Sequence, residues 1–205
     1  MAFLEKHIYL ASRSARRRDI LKQMGVSFEM LLLREGPGRE ADFDEAVLPG
    51  EIPDQYASRI ARLKAESGWS RLEQRRLLRY PVLAADTTVA IGEDILGKPV
   101  DREDAVAMLK RLSGTTHYVH SAVAVKYNDR YEEALSTTEV RVRELEDDEI
   151  RRYVASGEPF DKAGAYGIQG LGAVFVEELR GSYSAVMGLP LYETAALLAR
   201  SIMTS

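Results

Sequence analysis

The chain has no cysteine. A disulfide framework, a thiolate zinc site and a cysteine nucleophile are therefore excluded, and the composition suits a reducing compartment. Histidine is nearly as scarce, with three residues in 205. His117 and His120 fall in a segment that reads as a strand, where they point to opposite faces, so no histidine metal site is expected. Tryptophan occurs once, at Trp69, and the tyrosines are scattered, which leaves no interleaved platform for stacking bases. No apolar run approaches the length of a membrane span. The opening MAFLEKHIYLAS has too short an apolar stretch for a signal peptide. Strong charge is lacking too: a net charge of −4 argues against a nucleic-acid coat, while Arg-rich patches permit a local anion site. The expectation is a cytoplasmic protein with neither a nucleic-acid nor a membrane partner.

What is present is ordinary for a globular protein, with 45% hydrophobic and 29% charged residues. The length is enough to bury a core without staples, and residues 1–205 are expected to form a single domain. His7 to Ala11 reads as a strand that runs into SRSARRRDILKQMG, where Ser12 or Ser14 caps a helix stopped at Gly25. Free N–H groups at such a helix start suit phosphate. Arg16, Arg17 and Arg18 oppose the macrodipole there, a cost that an anionic ligand offsets.

Val26 to Leu33 reads as a second strand, followed by a long acidic, Gly-containing loop from Arg34 to Gly50. Pro53 and Asp54 open a helix with Tyr56, Ile60 and Leu63 on one face and Lys64 beside it. This helix is expected to continue to a break at Pro81. Asp101 caps a helix over 102–112, with Val106, Leu109 and Leu112 inward. His117–Tyr127 and Tyr131–Arg143 form a hairpin about Asn128–Asp129. Asp147–Ser156 is a short helix, Ala173–Leu179 a strand, and Pro190–Met203 a final amphipathic helix. A sheet built partly by crossovers and partly by hairpins is mixed. No GxGxxG follows the first strand, so a regular Rossmann order is not expected.

Val82 to Pro99, VLAADTTVAIGEDILGKP, organises the rest. Asp86 lies inside an apolar run, and a carboxylate there costs free energy unless it is paired or bound to a cation. Lys98 follows across a short turn. Either Thr87 and Thr88 satisfy Asp86 locally, or the strand opens there into a cleft with a base, a metal ligand and a phosphate-binding cation. Further on, DKAGAYGIQGLG is glycine-rich, so its backbone can approach a ligand closely. Gln169 within it carries the paired donor and acceptor that read a nucleobase edge.

With these pieces assembled, the sequence resembles the Maf family of nucleoside triphosphate pyrophosphatases. The resemblance covers nearly the whole chain: ASRSARR in place of Ser-x-Ser-Pro-Arg-Arg, then RIARLKA, AADTTV, LGKP, SGTTHYVHSAVAV, STTEVRVR and DKAGAYGIQG. AYGIQG, together with Arg16 and Thr87, is similar to the branch acting on dTTP and UTP. The sister branch, acting on 7-methyl-GTP, differs at those three positions. The resemblance implies an α/β fold with a mixed, twisted sheet flanked by helices and two lobes around a central cleft, like inosine triphosphate pyrophosphatases. It implies a homodimer that hydrolyses a pyrimidine nucleoside triphosphate to monophosphate and pyrophosphate with a divalent cation, Mg²⁺ or Mn²⁺.

Position by position, Asp86 is the implied general base. Ser12, Ser14, Arg17, Lys64 and Lys98 are implied to bind phosphate, and Arg16, Thr87 and Gln169 to choose the base. Asp86 and an acid of the long loop would hold the metal. That acid is Glu45, Asp44 or Glu35, with Glu45 favoured, since the loop departs from the family pattern. Ala15 replaces the common proline at the helix start. The competing readings are a nucleotide-binding regulator of cell division without essential catalysis, and a phosphomonoesterase.

Overall fold

The computed structural model describes residues 7–34 and 42–202. Glu35, one of the acids considered above, lies outside them. Strand β1 (His7–Leu10) leads into helix α1 (Ala15–Gln23), and Ser14 is the residue that caps it, its side chain accepting from the Arg17 amide. Strand β2 (Ser27–Met30) is shorter than the predicted 26–33, although the Leu31 amide still reaches the Leu10 carbonyl at 3.0 Å. Helix α2 (Pro53–Gln74) stops before the predicted Pro81. Its Arg-rich end offers no apolar face, and the chain turns back through Arg76 at φ 52° and a Leu77 N–H bond to the Leu72 carbonyl. Its buried stripe is Ala57, Ile60, Ala61, Ala65, Trp69 and Leu72, with Tyr56 and Leu63 only half-buried. The alanines let the helix lie close to the sheet.

Strand β3 (Val82–Ile91) turns at Gly92 into β4 (Asp94–Leu96), and helix α3 (Arg102–Leu112) follows, capped by Asp101 as expected. Ala105, Leu109 and Leu112 face inward, and Val106 is half-buried. The predicted hairpin is β5 (Thr116–Tyr127) and β6 (Arg130–Val142), closed with Asn128 at φ 51°. Helix α4 (Asp147–Ala155) comes next. Strand β7 (Val176–Arg180) starts later than the predicted Ala173, because Leu171–Phe175 winds into a 3₁₀ turn. Helix α5 (Tyr183–Met187) was not expected, and α6 (Leu191–Ile202) ends the described chain.

The described strands form one mixed sheet in the order β2-β1-β3-β5-β6-β7, with β4 on β3. The pairs β2–β1 and β1–β3 are parallel and the rest antiparallel. Alternation along β3 sends Val82 and Ala84 into a core under α2, and Leu83 and Ala85 into a core shared with α1 and α6. Val89 joins a third core with α3 and α4. Asp86 and Thr87 fall at the seam between these cores and are only half-buried while both flanks are buried. That seam is where the molecule opens between two lobes.

Candidate active site

A cleft of about 690 Å³ opens at the seam. Asp86 and Thr87 of β3 lie in it, with Ser12, Ser14, Arg16 and Arg17 on the α1 side. Lys64 enters from α2, Glu45 from the segment before it, Lys98 from beyond β4, and Gln169 from the glycine-rich segment. Ser12, Ser14, Arg16, Arg17, Glu45, Lys64, Asp86, Thr87, Lys98 and Gln169 therefore border one cavity, whereas the alternative acid Asp44 does not line it.

Even-numbered positions of β3 face α2, so Asp86 meets Lys64, whose Nζ donates to Asp86 Oδ1 at 2.8 Å. The same ammonium lies 2.8 Å from Glu45 Oε1. Burial pushes the Lys64 pKa down, but Asp86 and Glu45 outweigh it and hold the value above the usual lysine range, so the side chain is charged. The Thr88 hydroxyl donates to Asp86 Oδ2 at 3.1 Å, so local satisfaction and cleft pairing coexist. Of the other acids in that segment, Asp44 accepts the Ala46 amide at 2.9 Å, and Asp42 is paired with Arg71. Two hard carboxylates thus converge on one cationic atom. Among the described residues no three or more His, Asp or Glu side chains group to hold a metal. A divalent cation at Glu45 and Asp86 would complete its shell with water and phosphate oxygens, which is how Mg²⁺ is commonly bound. The donor set fits.

Odd-numbered Thr87 faces α1 and α5. Arg17 Nε donates to the Gly188 carbonyl at 2.7 Å, Nη1 to Ser12 Oγ at 3.2 Å and Nη2 to Thr87 Oγ1 at 3.3 Å. Ser121 donates to the Ala185 carbonyl at 2.6 Å and lies 3.0 Å from Thr87 Oγ1. With the Ser121 proton committed, the Thr87 hydroxyl has two acceptors within reach, Ser121 Oγ and the Gly188 carbonyl at 3.4 Å, and keeps a lone pair for Arg17. Thr87 thus borders the cleft and also accepts from Arg17. Gly188 closes α5 at φ 118°, a left-handed conformation suited to glycine, and so aims its carbonyl at the guanidinium.

The glycine-rich wall is held from below. Glu158 accepts the Leu171 amide at 2.8 Å, the Gly172 amide at 3.1 Å and the Tyr153 hydroxyl at 2.9 Å. Buried Tyr166 lies 2.9 Å from buried His117. Gly164 has φ 70°, and a Cβ there would sit 2.8 Å from Val89 Cγ1, so only glycine fits. Val119, Ile168 and Val186 give the cleft an apolar side suited to a flat ring.

Sequence reasoning missed Asp161, Lys162, Ser121 and the Gly188 carbonyl. The charges of DKAG were overlooked beside its glycines. Ser182 followed by Gly188 was an available signal of a short capped helix.

A mixed α/β sheet opening over one carboxylate, with arginine, lysine and a helix N-terminus around it, defines a protein built to hold a polyanion. Comparison with known proteins is specific. Residues 7–201 match the family model for Maf-like proteins, and the chain belongs to that family. It is 56% identical over 196 residues to a dTTP/UTP pyrophosphatase of Aromatoleum aromaticum, covering 95% of each chain. It is 52% identical to the dTTP/UTP pyrophosphatase of Dechloromonas aromatica, covering 94% of this chain and 96% of that one. For the enzyme so named in Nitrosomonas europaea the identity is 55%, with 93% and 92% covered. Among solved structures, the Staphylococcus aureus Ham1 protein aligns at a TM-score of 0.44 and 17% identity, over 67% of this chain and 72% of that one.

Proposed function

We propose that this protein hydrolyses dTTP and UTP between the α- and β-phosphates, releasing the monophosphate and pyrophosphate. The names of its relatives support the substrate, and the placing of Asp86 at the seam among Lys64, Arg17 and Lys98 carries the chemistry. Asp86 accepts the proton of the attacking water. Arg17, already fixed by three acceptors, stabilises charge spreading onto the phosphate oxygens without reorganising during the reaction. Lys64 and Lys98 add to this, and the start of α1, with Ser14 and Ala15, borders the same cleft. Glu45 and Asp86 would hold a divalent cation, Mg²⁺ or Mn²⁺, which would supply charge neutralisation on the phosphates. Arg16, Thr87 and Gln169 choose the base. The expected setting is the cytoplasm and the expected assembly a homodimer.

The test is pyrophosphate release from a panel of nucleoside triphosphates under magnesium titration. dTTP and UTP should lead the ranking, and Asp86→Asn should lower kcat by about a hundredfold or more. Orthophosphate as the product, or full turnover by Asp86→Asn, sinks the reading.

A further inference from the structure

Arg16 and Arg17 are neighbours on α1, yet their guanidinium groups part company. Arg17 is drawn to Gly188 and Thr87. Arg16 instead reaches the glycine-rich wall, where its Nη1 donates to Asp161 Oδ2 at 3.2 Å. The other oxygen of that carboxylate takes Lys162 Nζ at 2.5 Å, and Lys162 is itself anchored on the Glu158 carbonyl at 2.7 Å. Lys162 is 15% exposed and therefore cannot swing freely. A chain of Lys162, Asp161 and Arg16 thus links the segment carrying Gln169 to the helix carrying Arg17.

We propose that Asp161 is a specificity-determining positioning residue: it holds Arg16 at the base end of the cleft, where the guanidinium selects a pyrimidine with a carbonyl at C4 over one with an amino group there. This rests on the nucleoside triphosphate reading above. A mobile arginine in a polyphosphate cleft is drawn to the phosphates, which every nucleotide shares, and there it contributes affinity without selection. Balanced by Asp161, it stays off the triphosphate. A guanidinium carries donors and no acceptor. The O4 of uracil and thymine accepts from it, whereas the N4 amino group of cytosine presents donors to donors. Burial pushes the Asp161 pKa up, but Lys162 and Arg16 outweigh it and hold the carboxyl below the usual aspartate range, so it is charged at neutral pH. Asp161 is 68% exposed, so the pair contributes little to stability and its removal leaves the fold intact.

The experiment compares UTP with CTP. In Asp161→Ala, the ratio of their kcat/KM values should fall about tenfold or more, with Tm unchanged. Inhibition by inorganic tripolyphosphate should stay equal or tighten as Arg16 is released. Arg16→Ala should produce the same fall, and the double variant nothing further. Asp161→Asn, which keeps one acceptor, should retain part of the ratio. An unchanged ratio in Asp161→Ala, or additive losses in the double variant, overturns the proposal. Calorimetric binding of UMP and CMP reads the same preference without turnover. If no triphosphate is hydrolysed, the catalytic reading fails, and the binding ratio still decides the role of Asp161.

Discussion

His117 lies fully buried beneath the glycine-rich segment, and burial lowers its pKa from 6.5 to about 4. The folded protein therefore refuses a proton that the unfolded chain takes up near pH 6.5. Stability from this residue is complete above that pH and is lost as pH falls toward 4, by roughly 3 kcal/mol in total. Urea unfolding of wild type and His117→Gln between pH 7 and 4 checks it: the variant should show a shallower loss, and parallel curves would count against the assignment. At this scale the sequence is informative where an energetic cost stands out. Asp86 was legible because a carboxylate in an apolar strand requires a partner, which Lys64 provides. Choosing Glu45 over Asp44 was weaker ground. The difference is which way each side chain leaves an irregular segment, and no periodicity encodes that.

The segment before α2 takes its shape from the helix. Arg71 binds both oxygens of Asp42 and the Leu32 carbonyl. Arg59 holds the Ala46 carbonyl at 2.8 Å and Glu51, and the Tyr56 hydroxyl donates to the Glu45 carbonyl at 3.0 Å. These three side chains, with Lys64, set where Glu45 sits. Arg71→Met leaves Asp42 charged and 18% exposed without its partner, and should cost about 2–4 kcal/mol. Hydrogen exchange should quicken around residues 42–46 while the middle of α2 stays protected; unchanged protection there would show that Arg71 does not anchor the segment. Helix α2 was legible from its Pro53 start, but its inward face was misjudged toward Tyr56 and Leu63. Close packing selected alanine, and a scale of hydrophobicity ranks alanine low. Helix α5 is only five residues long, too short for any periodic signal.

Across the molecule, β3 and β5 serve all three cores. Val82, Leu83 and Val89 each enter a different one, and Ala122, Val123 and Val119 do the same. No lobe has a sheet of its own to fold on. Calorimetry should accordingly give a single transition with matching van't Hoff and calorimetric enthalpies, and two resolved transitions would contradict the shared-strand architecture. The mixed topology was readable from one hairpin signal and several crossovers. The opening between the cores was not, because it depends on which strand residues different helices leave uncovered.

The Gly188 carbonyl lies 171 positions downstream of the arginine it steadies. A nascent chain still short of Gly188 already holds Ser12 and Thr87 as acceptors for Arg17, but lacks the carbonyl that takes its Nε. Only when Gly188 is out is the set of three acceptors complete, so the fully fixed guanidinium that faces a polyanion arrives late in synthesis.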